Sequence, residues 1–161
     1  MNDADALTEF LSKHPISASL TPSEVQTLLT YLEVVEVHRK SVIAEIGEVG
    51  EALFFVVRGE VALMRDDDGR EVEVGRMKQG ELAGEMSFFD RVPRGVRLRA
   101  LTDSTRLLRL SRSMYDRIRV EHPYVAVNVL EFAIISLDHL IRRTSEDLAT
   151  YNRYFYAPGK K

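Results

Sequence analysis

Eight of the nine glycines lie between residues 47 and 95, and no other feature constrains the fold of this 161-residue chain as tightly. Glycine lets a backbone reverse sharply, so a cluster of this kind marks a region of frequent turns. Between the turns run short segments rich in Val, Leu and Phe: "EVVEVHRKSVIAEIG", "ALFFVVRG", "EVALMR", "REVEVGRM" and, beyond the last turn, "STRLLRLS". The "DDDG" at 66–69 adds a further turn signal. Many short strands with turns this close together predict an antiparallel β jelly-roll barrel over 33–110.

On either side of that region the hydrophobic period changes to that of helices. Residues 3–32 read as helical. Within them Thr21 is a candidate N-cap, Pro22 the first helical residue and Glu24 the partner of a capping box. After the strands, "SRSMYDRI" predicts a helix capped by Ser113, with Asp116 three residues on. Pro123 then opens a stretch without Gly or Pro until Pro158. The expected architecture is α+β: a single domain over 1–161, with helices at 3–32, a barrel at 33–110, C-terminal helices at 113–151 and a tail at 152–161.

Along the last helix Val127, Leu130, Ile134, Leu137, Ile141, Thr144, Leu148 and Tyr151 alternate at spacings of three and four. This is a heptad seam of roughly 37 Å at 1.5 Å per residue. Thr144 is its polar member. Ala126, Ala133 and Leu140 form a second line beside it. One face can therefore lie on the barrel while the seam meets a second copy, which predicts a homodimer through residues 124–151. The alternative is one broad stripe buried in a single core. The seam is longer than a barrel this small can cover, and that favours the dimer.

Several classes of function are disfavoured. Hydrophobic residues make up 45% of the chain and charged residues 29%, as in an ordinary globular domain. The formal charge of −3 gives no general attraction to nucleic acid or to an anionic membrane. There are no cysteines, so thiolate chemistry and cysteine metal sites are absent. The N-terminus lacks the apolar core of a secretory signal, and no segment is expected to reach the roughly 20 apolar residues of a membrane span. The cytoplasm is the expected location. The four histidines, His14, His38, His122 and His139, are scattered outside the central strands, which argues against a metal-dependent barrel enzyme. No nucleophile elbow or P-loop is present, and Glu85 as a general acid would need a raised pKa that Arg94 nearby would oppose. A non-enzyme is expected.

The segment "LAGEMSFFDRVPRG", residues 82–95, carries the most chemistry. Residues 84–89 suit a single helical turn whose free N–H groups converge on one spot, a natural anion site. Arg94 adds a planar fork of donors that matches a pair of phosphate oxygens. Ionised Glu85 only accepts hydrogen bonds, so it suits a sugar hydroxyl. Gly84 and Gly95 remove side chains where backbone must approach closely. A phosphate with an attached ribose meets all of these demands, whereas a Glu85–Arg94 ion pair explains only the charges.

The stretch "GEMSFFDRVPRGVRLRA" resembles the phosphate-binding cassette of cyclic nucleotide-binding domains, as in protein kinase A regulatory subunits and bacterial cAMP receptor proteins. The preceding "GEVGEALFFVVRGEVALMRDDDGREVEVGRMKQGELAGE" is similar to the strands and turns that lead into that cassette. "RTSEDL" at 143–148 is similar to the V-T-S-E segment with which cAMP receptor proteins touch adenine. The resemblance covers roughly residues 20–150. It implies a ligand site built from Gly84, Glu85, Met86, Ser87, Arg94, Gly95 and Val96, with Thr144 and Ser145 reading the base. Ser87, Gly95 and Val96 depart from the residues usual in the family. The family's cGMP binders often carry Thr directly after the cassette arginine; Gly95 offers no hydroxyl, so cAMP is the expected ligand ahead of cGMP or a cyclic dinucleotide.

"NRYFYAPGKK" after the expected helix is too short for a DNA-reading unit. The expectation is a stand-alone sensor that binds no nucleic acid itself. The alternatives are the sensor part of a cAMP receptor-type transcription regulator, or a ligand-free scaffold whose cassette is closed by its own Glu85–Arg94 pair. Tyr151, Tyr154, Phe155 and Tyr156 supply either a cap over the nucleotide or an anchor for the tail.

Overall fold

The computed structural model describes residues 3–156. Two helices, α1 (Asp3–Ser12) and α2 (Pro22–Leu29), precede the strands, with a 3-10 turn at Pro15–Ser17 between them. The capping box of α2 is formed as its sequence predicts. The Thr21 hydroxyl accepts from the Glu24 N–H, and the Glu24 carboxylate accepts from the Thr21 N–H.

Eight strands follow: β1 (Glu33–Val37), β2 (Val42–Ala44), β3 (Ala52–Arg58), β4 (Val61–Asp67), β5 (Arg70–Met77), β6 (Leu82–Ala83), β7 (Arg97–Ala100) and β8 (Thr105–Ser111). They form two four-stranded antiparallel sheets, ordered β1-β8-β3-β6 and β2-β7-β4-β5. A short helix, α3 (Glu85–Asp90), sits between β6 and β7. This is the jelly-roll arrangement expected from the turns. The β4–β5 reversal falls on Asp68 and Gly69, both at positive φ, as a tight hairpin of two twisted strands demands.

The first sheet is covered on both faces, and β3 shows why it reads as a continuous apolar run. Leu53, Phe55 and Val57 point to one side, where they pack with Leu11, Leu28, Val129 and Phe132 of the helices. Ala52, Phe54 and Val56 point to the other, into the barrel interior with Val61, Met77, Leu98 and Leu107. The period of two along a strand divides the residues between these two cores.

Two helices complete the structure, α4 (Arg112–Glu121) and α5 (Pro123–Tyr156). The N-cap of α4 is Ser111, whose hydroxyl accepts from the Met114 N–H, and not Ser113 as the sequence suggests. The reason is the strand: β8 runs through Ser111 and hands over directly to the helix. Helix α5 also continues past residue 151 to Tyr156, because no helix breaker occurs before Pro158. The side chains of Tyr151, Tyr154, Phe155 and Tyr156, and residues 157–161, lie outside the described residues.

One face of α5 carries Val125, Ala126, Val129, Phe132, Ala133 and Ser136, all buried. Phe132 stacks on Phe55 with ring centroids 6.1 Å apart. The seam is a separate face. Val127, Leu130, Ile134, Ile141 and Leu148 are exposed, with Ile134 at 61% and Ile141 at 63%. A single buried stripe is thereby ruled out for this chain. Because both faces are apolar, residues 123–150 are long and apolar enough to cross a membrane by length and composition, contrary to the expectation that no segment is. Its buried residues, Val125, Ala126, Asn128, Val129, Phe132, Ala133 and Ser136, lie in its first half, against the fold.

Candidate functional site

A cavity of about 420 Å³ opens where α3, the loop to β7, the β4–β5–β7 sheet and α5 meet. It brings together Gly84, Glu85, Met86, Ser87, Arg94, Gly95 and Val96. Opposite them stands an apolar wall of Leu63, Met77, Leu98 and Leu140. These wall residues carry no sequence signal of a site, since each reads as an ordinary inward-facing strand or helix position.

Gly84 caps α3 with φ at +88°, a conformation that side chains other than glycine rarely adopt. A Cβ there would stand 3.3 Å from both terminal nitrogens of Arg94. Close approach therefore explains Gly84. It does not explain Gly95, where a Cβ would meet nothing within 4 Å. The cassette glycine that the sequence pattern concealed is Gly50. A Cβ on Gly50 would fall 2.6 Å from the Phe88 N, so the β2–β3 loop lies directly against α3.

That contact is braced from three sides. The Gly50 N–H donates to the Ser87 hydroxyl at 2.8 Å, and Ser87 in turn donates to the Val92 carbonyl at 2.6 Å. Arg112 reaches in from α4 to the carbonyls of Gly50, at 2.7 Å, and of Phe88, with its guanidinium over the Phe88 ring. The Ser87 hydroxyl is thus committed to holding the loop, although the residue lines the cavity.

Arg94 is held by its backbone. Its N–H donates to the Glu48 carbonyl at 2.8 Å, and its carbonyl accepts from the Gly47 N–H at 2.9 Å. The residue is 8% exposed, yet among the described residues its side chain makes one hydrogen bond, a long one of 3.5 Å from Nη1 to the Gly84 carbonyl. Its Nε has no partner. Burial disfavours its charge and lowers its pKa, while Glu48 and Glu85 support the charged form. A buried guanidinium with a donor left unmatched suits an anion.

Glu85 is 2% exposed, and its Oε1 has no hydrogen-bond partner. Among the described residues Glu85 and Arg94 form no ion pair, so the cassette is not closed on itself. Burial pushes the Glu85 carboxyl from the usual 4.5 up to about 7, against the opposing pull of its own N–H, the Ser136 hydroxyl and Arg94. Arg94 opposes the rise, as its place in the sequence predicts. Desolvation is the larger effect here because the carboxylate lies beneath the surface.

Thr144 and Ser145 lie elsewhere. Both are exposed, and their hydroxyls donate to the carbonyls one turn back, Leu140 and Ile141, each at 2.9 Å. Thr144 lines a separate groove with Gly75, Arg76, Arg143 and Leu148, and Leu140 borders both that groove and the cavity.

The antiparallel jelly roll places Arg94 and Glu85, neither in an ion pair among the described residues, on one buried cavity. Residues 34–122 match the cyclic nucleotide-binding domain family, and the chain belongs to it. The cyclic AMP receptor protein of Thermus thermophilus is 34% identical over 116 residues, covering 71% of this chain and 53% of that protein. The lysophospholipase NTE1 of Phaeosphaeria nodorum is 27% identical over 112 residues, 69% of this chain and 7% of that protein. The chain therefore spans about half, or far less, of these relatives. Among solved structures, a cyclic nucleotide-binding domain from Methylobacillus flagellatus superposes with a TM-score of 0.79 over 98% of this chain and 85% of its own, at 21% identity.

Proposed function

We propose that this chain is a non-catalytic sensor for a cyclic nucleotide, with cAMP as the ligand. The observation that carries the reading is the pair of unmatched buried charges, Arg94 and Glu85, on one cavity wall. Arg94 binds the cyclic phosphate through its free donors, and the first-turn N–H groups of α3 add to the same charge. Glu85 accepts a ribose hydroxyl at Oε1. Leu63, Met77, Leu98 and Leu140 take the base by contact. Gly95 offers no hydroxyl to a guanine, and the name of the Thermus thermophilus relative supports cAMP.

The chain acts as a single domain and as a homodimer through the exposed seam of α5, in the cytoplasm. Thr144 and Ser145, on the outward side of that helix, read the base at the dimer interface. The coverage of 53% of a longer cAMP receptor favours a second reading, in which the same sensor serves a transcription regulator with a further domain.

A thermal-shift series over cAMP, cGMP and cyclic dinucleotides tests the proposal. A ligand that binds only the folded state adds about 2.7 kcal/mol at 100 times its Kd. The largest rise is expected with cAMP. An unchanged melting temperature at millimolar concentrations of every cyclic nucleotide would refute the assignment.

A further inference from the structure

Beyond Ser136 no described residue of α5 is buried, and three, Leu137, Leu140 and Arg143, are half-buried. Little apolar burial therefore fixes where the second half of the helix lies. Yet Leu140, alone among the described residues of α5, lines the cavity. Its seat is a gap in β5. Opposite Leu63 the β4–β5 register slips, pairing Leu63 with Gly75 and Met64 with Glu73, so that Val74 is the extra residue of a bulge. A Cβ on Gly75 would stand 3.0 Å from Leu63 Cδ1 and 3.5 Å from Leu140 Cδ1. The missing side chain is the place where Leu140 and Leu63 come together.

One turn further along the helix, Arg143 grips the barrel. Its Nη1 and Nη2 donate to the two carboxylate oxygens of Glu81 at 2.6 and 3.1 Å, and Nη2 also donates to the Arg76 carbonyl of β5 at 3.2 Å. Glu81 is no loose partner. Its Oε2 accepts from the Lys78 N–H at 2.8 Å, its N–H donates to the Lys78 carbonyl at 3.0 Å, and its carbonyl accepts from the Val56 N–H of β3 at 3.0 Å. The chain then passes through β6 into Gly84 and Glu85. A forked guanidinium on a fixed carboxylate sets direction as well as distance.

We infer that Arg143 is the positioning residue of Leu140: its clasp on Glu81 and Arg76 holds α5 against the bulge of β5 and so completes the apolar wall of the cavity. Arg143 lines the neighbouring groove and not the cavity, so it acts on a ligand through Leu140. The inference rests on the nucleotide reading for the base that this wall meets, and on geometry alone for the seat of Leu140.

The test begins with the ligand-free full chain, methyl-labelled for NMR. The wild type should show a nuclear Overhauser contact between the Leu140 and Leu63 methyls. Arg143→Ala should lose it while the Phe132 ring stays against Phe55, since the first half of α5 is held by its own burial. Glu81→Gln keeps the shape of the side chain and should weaken the contact in the same direction. In titrations with cAMP, Arg143→Ala should bind about 5-fold more weakly, the scale of a partly exposed ion pair. In a Leu140→Ala background the same substitution should cost no further affinity. A Leu140–Leu63 contact kept in both Arg143→Ala and Glu81→Gln would overturn the inference. So would wild-type cAMP affinity in Arg143→Ala, or an undiminished loss in the Leu140→Ala background. Absence of cAMP binding by the wild type would instead overturn the nucleotide reading, and the methyl contacts would still decide the role of Arg143.

Discussion

The terminal nitrogens of Arg94 lie where a Cβ on Gly84 would be 3.3 Å from each of them, and Nη1 reaches the Gly84 carbonyl at 3.5 Å. The left-handed turn that starts α3 and the cation packed against it are thus one piece of construction. Gly84→Ala has two costs, since φ of +88° disfavours any side chain and the methyl presses on Arg94. The expected outcome is a loss of about 1–2 kcal/mol of stability in urea unfolding together with weaker ligand binding. Gly95→Ala, where a methyl meets open space, should leave stability within about 0.5 kcal/mol of the wild type. Equal effects at the two positions would contradict this division of roles.

Glu85 gives the fold a defined pH dependence. Its carboxyl titrates at about 7 in the folded chain and near 4.5 when unfolded, so the folded state holds the proton more tightly. Stability from this group is therefore complete below pH 4.5, falls between about 4.5 and 7, and stays lower above. The difference amounts to about 3 kcal/mol. Glu85→Gln should raise stability at pH 8 and change it little at pH 4. Denaturation curves at both pH values check this, and a stabilisation of equal size at both would show that burial of charge is not the cause.

The seam of α5 predicts association. Ile134 and Ile141 are exposed on the isolated chain, two turns apart on one line. Ile134→Glu should leave the fold intact, since the residue touches no core, and should dissociate the dimer in sedimentation. A wild-type monomer at high concentration would end the proposal.

Thr144 tests where the base is read. Its hydroxyl serves its own helix in the single chain, so Thr144→Val should cost little stability. Its effect should appear in ligand selectivity, as a lower cAMP affinity and a weaker preference over cGMP. Wild-type affinity and selectivity in this variant would leave base recognition to Leu63, Met77, Leu98 and Leu140 alone.

Much of this was legible in the sequence where a local rule decides the outcome. The Thr21–Glu24 box, the turn at Asp68–Gly69 and the alternation along β3 each depend on neighbours a few residues away. The two faces of α5 followed from spacing, because a narrow barrel can bury only one. What the sequence concealed is tertiary. Gly50 is set apart from the other turn glycines by Phe88, 38 positions away, and Ser136 from Thr144 and Ser145 on the same helix by the Leu82 N–H that donates to it. The raised pKa of Glu85 is hidden for the same reason: the opposing charge of Arg94 can be read from spacing, but depth below the surface cannot. Ser113 lost the cap to Ser111 because the end of β8 is set by its pairing with β3, where Ser111 lies opposite Ala52.

The most direct measurement is calorimetric titration of cAMP into the wild type, Arg94→Ala and Arg94→Lys. The wild type should bind at one site per chain. Arg94→Ala removes charge-assisted bonds of about 1.5–3 kcal/mol each, so its affinity should fall on the order of 100-fold. Arg94→Lys, with a point charge in place of the fork, should fall between the two. Equal affinity in all three proteins would mean that the buried guanidinium does not hold the phosphate, and the central claim would fail.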